Sequence, residues 1–339
     1  MREVAAAPRR PARGRWIWGV SGVITITVLG TGGAHLILNA GTPGDQSTLS
    51  AAPTRTVAIT QPVTSLNVQS YGAPIQITTG QGPGVTVGET VSYSGGSAPA
   101  VTAQVTRGQL TLAAPACANS PCSVGFTVTL PSRVPVTAAS SGGDIMITGA
   151  AGASLDSGGG SVRATGITGS LGVTSDGGPV FISSVAGANI DSGGGGVRAT
   201  EVYGQLTVSA EGGPVTVSDL TGDLHADTGG GTLLASGIRS AAATVTTEGG
   251  DAHLGFAAPP QTVQVSSGGG SASLTVPGGP YALTADDGGG GPELISIATN
   301  PAATRTINVS TEGGPLRIVA GTVSGGPAKL PKPSQPSAP

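Results

Sequence analysis

The fold of this chain is decided by Ser175-Asp176-Gly177-Gly178-Pro179-Val180 and its echo Ala210-Glu211-Gly212-Gly213-Pro214-Val215. Both belong to a glycine-punctuated array that runs from Ser140 to about Val319. Within it, Asp156-Ser157-Gly158-Gly159-Gly160 returns 35 residues later as Asp191-Ser192-Gly193-Gly194-Gly195. A fixed internal period indicates a repeat architecture, in which each unit stacks on its neighbours.

Between the glycine clusters the apolar residues alternate with period two, as in Leu171 and Val173 followed by Val180 and Ile182. Each repeat therefore predicts a strand, a glycine turn, a second strand and a looser corner. We expect glycine at the turns because tight bends require positive φ. Ten clusters, mostly 16 to 20 residues apart, begin at Gly142, Gly158, Gly177, Gly193, Gly212, Gly229, Gly249, Gly268, Gly288 and Gly313.

A unit of this size buries too few aliphatic side chains to be stable alone, so it must stack. We predict an all-β fold, a parallel β-solenoid of short glycine-turn repeats over residues 138–320. Ten rungs would form a rod of about 45 to 50 Å. The alternatives are a β-propeller or a hairpin meander, in which each Gly-Gly joins two paired strands. Short strands and the prolines that follow the turns favour the solenoid.

The acidic residues of the array change their position relative to the glycines. Asp156, Asp191 and Asp227 stand two residues before their cluster, whereas Asp176, Glu211 and Glu248 stand immediately before theirs. A shift of one residue on a strand changes the face on which a side chain lies. The hypothesis that follows is a two-rung repeat, which holds like charges about 9.6 Å apart instead of about 4.8 Å.

Composition limits the partners of the chain. Its 339 residues include 59 glycines and 26 prolines, with only 10% charged and 3% aromatic residues, which is typical of a thin all-β core. Five arginines precede residue 16, and from Gly41 onward 10 basic residues face 17 acidic ones, a balance of −7. This acidic balance excludes a nucleic-acid binder, which requires clustered positive charge. No cofactor motif is present.

The N-terminal residues predict export. Residues 1–15 form a basic cytoplasmic tail, and residues 16–38 are an uncharged apolar run long enough to cross a bilayer as a single helix. A cleaved signal peptide, processed near residue 39, is the alternative. We therefore expect a single-pass cell-membrane protein with an extracytoplasmic C-terminal domain, a linker over residues 39–56 and a disordered proline-rich tail over residues 321–339.

Residues 57–137 predict a β-rich N-terminal cap or first rungs, and they include the only two cysteines, Cys117 and Cys122, which we expect to form a disulfide in an exported chain. A family resemblance is carried by this pair together with Gln109-Leu110-Thr111-Leu112, Phe126-Thr127-Val128-Thr129-Leu130-Pro131 and Ser140-Ser141-Gly142-Gly143-Asp144-Ile145. The segment 57–319 resembles the adhesin-like β-strand-repeat family of bacterial envelope proteins. The resemblance implies a β-repeat fold and an adhesive role, and it supplies no catalytic residue.

Acidic residues are densest at Asp286, Asp287 and Glu293, which are the candidates for binding. A calcium ladder is disfavoured because the aspartates precede the glycines instead of following them. The arginines Arg163, Arg198 and Arg239 recur near the aspartates, and this regularity predicts structural cross-strand salt bridges. No metal-spaced histidine pair and no G-x-S-x-G elbow are present.

These observations predict a non-catalytic, membrane-anchored adhesin or structural envelope module, without cofactor or metal. Its expected partners are the membrane, through residues 16–38, and a cell-wall polymer or a surface protein. One alternative is an ectodomain that senses a cell-wall or membrane-stress ligand. The other is a polysaccharide-active enzyme that uses paired carboxylates.

Overall fold

The computed structural model of the protein describes residues 50–51, 54–94, 98–114 and 121–321, and every regular element in these ranges is a β-strand. The strands are β1 (Ser50–Ala51), β2 (Arg55–Ile59), β3 (Ser65–Ser70), β4 (Gly72–Thr79), β5 (Val85–Tyr93), β6 (Thr102–Thr106), β7 (Gln109–Ala113), β8 (Cys122–Leu130), β9 (Pro135–Ser140), β10 (Ile145–Thr148), β11 (Gly152–Ser157), β12 (Val162–Thr165), β13 (Ser170–Ser175), β14 (Val180–Val185), β15 (Gly187–Ser192), β16 (Val197–Val202), β17 (Leu206–Ala210), β18 (Val215–Leu220), β19 (Leu224–Thr228), β20 (Leu233–Ile238), β21 (Ala242–Thr247), β22 (Ala252–Phe256), β23 (Thr262–Ser267), β24 (Ala272–Pro277), β25 (Ala282–Asp286), β26 (Glu293–Ser296), β27 (Thr306–Thr311) and β28 (Leu316–Gly321).

The strands form two long sheets that enclose one aliphatic core. Sheet 1 has 15 strands and contains the even-numbered strands of the array, whereas sheet 2 has 13 strands and contains the odd-numbered ones. Each rung is one strand of sheet 2, a glycine corner and one strand of sheet 1. Alternate side chains of both strands point inward, so the core is a stack of Val, Ile, Leu and Ala layers. The predicted parallel solenoid is confirmed.

The strands on either side of a glycine cluster lie in different sheets, so the propeller and hairpin alternatives are wrong. Successive rungs pair in parallel without a shift along most of the array. Val162 pairs with Val180, and Val180 pairs with Val197, so steps of 18 and 17 residues together make the 35-residue period. The two-rung repeat predicted from the acidic offsets is therefore present from β10 to β18, and the next steps lengthen to 18, 19 and 20 residues toward β24.

Chain order and spatial order differ at both ends of the solenoid. At the C-terminal end, β27 lies between β23 and β25, and β28 lies between β24 and β26. The chain thus builds the end rung first and then inserts the penultimate rung beneath it. At the N-terminal end the rung β3–β4 lies in the same way between β9–β10 and β7–β8. The sequence interpretation, which treated the ten glycine clusters as ten successive rungs, is wrong at the C-terminal end.

Antiparallel strands close the N-terminal end. β5 pairs antiparallel with β8, and β6 pairs antiparallel with β7. β1 and β2 in turn pair with β5, so one short strand lies within the residues predicted as a linker and a second begins there. The segment predicted as a cap or first rungs, residues 57–137, supplies both the antiparallel cap and the first parallel rungs. Covering the last parallel rung in this way leaves only short antiparallel strands at these edges, and short edge strands limit association with other sheets.

The reason that the corners require glycine differs from the expected one. Each corner has one glycine that stacks on the rung below, and none of these has positive φ: Gly160, Gly178, Gly195, Gly213, Gly231 and Gly250. A Cβ added to Gly178 would lie 2.0 Å from the carbonyl oxygen of Gly160 on the rung below. Gly195 repeats this relation with Gly178 at 2.1 Å. Glycine is required here because the backbone of each rung packs directly on the backbone of the next. The prediction of positive φ is therefore wrong at these positions.

A hydrogen bond from a buried hydroxyl group stabilises nearly every glycine corner. The sequence analysis did not predict this feature. The side-chain Oγ of Ser192, for example, donates to the carbonyl oxygen of Gly195 at 2.7 Å. The donors are at most 1% exposed, so each bond satisfies a carbonyl group that water cannot reach. The same bond, at 2.7 to 2.9 Å, joins Ser157 to Gly160, Ser175 to Gly178, Thr228 to Gly231, Thr247 to Gly250, Ser267 to Gly270 and Thr311 to Gly314.

One carboxyl group is buried in the cap. Glu89 of β5 is 5% exposed and pairs in register with Arg55 of β2. Burial raises the pKa of Glu89, and the positive charge of Arg55 partly opposes this increase. Below about pH 4 the carboxyl is protonated in both folded and unfolded chains. Folding stability therefore decreases as the pH rises from there through the raised pKa, because the unfolded chain ionises first.

We expect Glu89→Gln to stabilise the protein at pH 7, because the neutral amide needs no buried charge. At pH 4 the variant and the wild type should have the same midpoint of denaturation. The control is Glu211→Gln, which alters an exposed carboxylate. An equal effect of Glu89→Gln at both pH values would contradict this account of the cap.

Several predictions concern residues that the structure does not describe. The cytoplasmic tail over residues 1–15, the anchor over residues 16–38, the tail beyond residue 321 and Cys117 lie outside the described residues. Cys122 begins β8 in a half-buried position. The disulfide therefore stays a prediction. Within the described ranges no helix has the length and apolar character needed to cross a membrane.

Candidate functional site: the outer faces of the two sheets

The outward side chains of sheet 2 form two continuous polar columns. The first joins Asn189, Thr207 and His225 on successive rungs, and the second joins Asp191, Ser209 and Asp227. Parallel pairing in register places equivalent side chains about 4.8 Å apart along each column. The columns carry hydroxyl, amide and carboxylate groups and the imidazole of His225, and no Phe, Tyr or Trp lies on the described strands of this face from β11 to β27. This face therefore presents hydrogen-bonding groups at a regular spacing.

A groove of about 380 Å³ lies on this face near the C-terminal end. Its polar lining comes from β21, β23, β27 and β25, which are adjacent strands of sheet 2. Gln264 and Asn308 are exposed and pair side by side at its centre. The remaining polar side chains of the groove are Thr244, Thr246, Ser266, Thr284, Asp286 and Ser310.

The predicted acidic candidates all lie on the end rung, but not together. Asp286 ends β25 in sheet 2 and lines the groove, whereas Glu293 begins β26 in sheet 1. Asp287 lies in the turn between them. The amides of Gly288 and Gly289 donate to the Oδ1 atoms of Asp286 and Asp287 at 3.0 and 2.9 Å. Among the described residues no three acidic, histidine or cysteine side chains are grouped to hold a metal ion.

The acidic ladder has the predicted placement. Asp156 lies beside Thr174, and Thr174 lies beside Asp191, so the aspartates of this column are two rungs apart. A Cβ on Gly193 would contact the carbonyl oxygen of Asp176 on the rung below, which shows that acidic and glycine residues alternate in the neighbouring column. Doubling the separation lowers the repulsion between like charges in each column.

The predicted salt bridges between arginines and these aspartates are wrong. Asp156 points outward from sheet 2 and Arg163 points outward from sheet 1, so the core separates them. The guanidinium of Arg163 lies instead 4.7 Å above the ring centre of Phe181, on the next rung. Arg239 lies 3.8 Å from a different partner, Asp219. The sequence spacing was right, but the glycine corner places the two charges on opposite faces.

Aspartates at the glycine corners join adjacent rungs. The amide and hydroxyl of Ser271 both donate to Oδ1 of Asp251 at 2.7 Å. These two hydrogen bonds lower the pKa of Asp251, and His253 contributes in the same direction. The amide of Ser161 donates to Oδ1 of Asp144 in the same way, at 2.8 Å. These aspartates have a structural role, so we do not assign them to a binding site.

A search of curated proteins finds no match to this sequence. Among solved structures, the chain is similar to a candidate adhesin from Parabacteroides distasonis, with 14% identity, a TM-score of 0.39 and coverage of 80% of this chain and 98% of that one. A candidate adhesin from Parabacteroides merdae has 13% identity, a TM-score of 0.35 and coverage of 79% and 96%. One from Bacteroides fragilis has 15% identity, a TM-score of 0.33 and coverage of 81% and 100%.

The family itself is shown by a sequence match. The family model described as Toastrack DUF4097 matches residues 56–289, which is well over half of the chain. This range covers the antiparallel cap and the solenoid as far as the end rung. It confirms the resemblance that the cysteine pair and the glycine motifs carry. The chain therefore belongs to the Toastrack DUF4097 family.

Proposed function

We propose that this protein is a non-catalytic adhesin-type module of the bacterial envelope, and that sheet 2 binds a repeating cell-wall polymer. The observation that carries the proposal is the groove around Gln264 and Asn308, where hydroxyl and amide groups recur from rung to rung. In this proposal residues 16–38 hold the chain at the cell membrane, and a Cys117–Cys122 disulfide closes the loop before β8 in the oxidising exterior.

The chemistry of the groove supports a polyol or glycan ligand. Hydroxyl and amide side chains both donate and accept hydrogen bonds, as sugar hydroxyls do. One rung contributes few such contacts, but a polymer lying along the columns of the groove meets equivalent groups on each of its four strands, β21, β23, β27 and β25. Linked weak contacts of this kind raise the overall affinity without any single strong site.

The arrangement of carboxylates supports a role without catalysis. Glycoside hydrolysis uses two carboxyl groups that flank one scissile bond. Asp286 and Glu293 lie on strands of different sheets, and Asp286 and Asp287 accept hydrogen bonds from their own turn. The other carboxylates of the sheet 2 face recur regularly, as surface residues of a repeat do.

We expect the full-length protein in detergent micelles to be retained on insoluble cell-wall polymer. The double variant Gln264→Ala/Asn308→Ala should lower the apparent affinity about thirtyfold, because two hydrogen bonds of about 1 kcal/mol each are lost. Binding is measured by co-sedimentation with the polymer over a range of protein concentrations. The matched control is Thr216→Ala/Ser273→Ala, which removes two hydroxyls from sheet 1.

Three outcomes would count against the proposal. The wild type could fail to bind any wall polymer, or the control variant could lose as much affinity as the groove variant. The third outcome is release of soluble sugar from the polymer that stops on replacement of Asp286, Asp287 or Glu293. That result would establish the polysaccharide-active alternative instead.

A further inference from the structure

The outer face of sheet 1 carries an unusual triplet on three successive rungs. Arg163, Phe181 and Arg198 are neighbours in one outward column of β12, β14 and β16. Met146 and Leu234 continue the same column and are 41% and 49% exposed. Arginine, methionine and aromatic residues are enriched at protein interfaces, and exposed apolar side chains in a row mark an interaction surface.

The outer face of sheet 2 carries the complement on the same three rungs. Asp156, Thr174 and Asp191 are neighbours in one column of β11, β13 and β15. In the adjacent column Gly172 leaves a gap, because a Cβ there would have no atom within 4 Å. A depression of about 380 Å³ lies beside it, lined in part by Gly187 and Asn189. The column of acid, threonine and acid, with the recess at Gly172 beside the threonine, complements the opposite column of cation, ring and cation.

The two triplets also lie at the same place along the strands. Asp156 is one residue before the buried Ser157, at the start of the glycine corner, and Arg163 is one residue after the buried Val162, at its end. Asp191 and Arg198 flank the glycine corner two rungs further along in the same way. The two pairs are two rungs apart on both faces, about 9.6 Å, because both belong to the 35-residue repeat.

We propose that copies of this chain stack face to face, with sheet 1 of one copy on sheet 2 of the next. Placing the copies rung on rung sets Arg163 opposite Asp156 and Arg198 opposite Asp191 of the neighbour. Phe181 then faces Thr174 and the gap at Gly172. The contact joins two different faces, so it leaves one free face on each copy and continues into an open row. This inference does not depend on the proposed polymer ligand.

The size of the contact predicts a weak, reversible association. The six rungs from β9–β10 to β19–β20 span about 29 Å by about 20 Å, or roughly 580 Å² per copy. The total of roughly 1,150 Å² is near the lower limit for specific protein interfaces. The charged pairs are exposed at the rim of the strands, so salt should weaken them. The polymer groove, which begins at β21, lies outside this contact.

The test uses the full-length protein in detergent micelles and sedimentation velocity at 50 and 500 mM NaCl. We expect concentration-dependent association of the wild type at low salt that weakens at least tenfold at high salt. Arg163→Glu/Arg198→Glu and Asp156→Lys/Asp191→Lys should each reduce self-association at least tenfold, because each places like charges opposite one another. Arg317→Glu, on the same face but outside the contact, should leave association unchanged.

Mixing the two charge-reversed variants provides the decisive comparison. Each variant alone repels itself, but the altered face of one complements the altered face of the other, so the mixture should associate as the wild type does. Equal circular dichroism and melting temperatures show that both variants are folded. A wild type that stays monomeric at low salt, or a mixture that fails to associate, would overturn the proposal. So would a monomeric wild type that binds polyphosphate through Arg163 and Arg198, because that face would then be an anion-binding surface.

Discussion

Gly178→Ala is expected to destabilise the solenoid by at least about 3 kcal/mol, whereas Gly177→Ala, one residue earlier, should change its stability by less than about 1 kcal/mol. A Cβ on Gly178 would lie 2.0 Å from the carbonyl oxygen of Gly160, which belongs to rigid backbone. A Cβ on Gly177 would have no atom within 4 Å. Both glycines have φ values outside the left-handed region, so the comparison isolates the stacking contact.

The measurement is chemical denaturation of the two variants and the wild type, followed by circular dichroism. Gly212→Ala and Gly213→Ala provide a second pair with the same contrast, since Gly213 would place a Cβ 2.4 Å from the carbonyl oxygen of Gly195 and Gly212 would have open space. In a solenoid each rung contacts only its neighbours, so the effect should appear first as local opening at the altered corner. Equal stability of Gly177→Ala and Gly178→Ala would contradict the stacking explanation.

The second large effect concerns the inserted rung. Ile318→Asp in β28 should cost about 3 to 5 kcal/mol, because it buries an unpaired carboxylate in the core. Ile318 is 0% exposed, and β28 is the strand that joins β26 to the rest of sheet 1. Opening of β27–β28 therefore releases the end rung as well, although the end rung comes earlier in the sequence.

Hydrogen exchange measures this coupling. We expect Ile318→Asp to abolish protection in β25 and β26 as well as in β27 and β28, while β9 to β22 keep theirs. The matched control is Ile295→Asp, which alters the partner of Ile318 in register at a position that is 37% exposed. That change should cost less than about 1 kcal/mol. Retained protection of β25 in the Ile318→Asp variant would contradict the inserted order of the rungs.

The period and the alternation of the sequence were sufficient to predict the solenoid and its two-rung repeat. The distance of 35 residues between Asp156 and Asp191 gives the register of alternate rungs from β11 to β17, beyond which the step between rungs lengthens. The hydroxyl ladder was equally visible, because a serine or threonine such as Ser192 stands three residues before a corner glycine such as Gly195. It was missed because a buried hydrogen bond leaves no hydrophobic signal.

Other features could not be predicted from local patterns. The inserted order of β25 to β28 depends on which rung closes the core, and a sequence of similar strands does not encode spatial order. The separation of Asp156 from Arg163 depends on the direction in which the corner turns. The groove near Asp286 exists because β25, β27 and β23 become neighbours, and Thr262 of β23 pairs with Thr306 of β27, 44 residues later in the chain. Single positions such as Asp286 were identifiable, but their surroundings were not.

The central claim is that each glycine cluster separates two sheets and that successive rungs stack in register. Oxidation of paired cysteines tests it most directly, at low protein concentration and with Cys117 and Cys122 replaced by serine. Thr174→Cys/Asp191→Cys should form an intramolecular disulfide, because neighbours in register lie about 4.8 Å apart at Cα. Thr174→Cys/Phe181→Cys should stay reduced, since these residues point outward from opposite sheets. A disulfide in the second variant and none in the first would show a hairpin at Gly177 and Gly178 and contradict the solenoid.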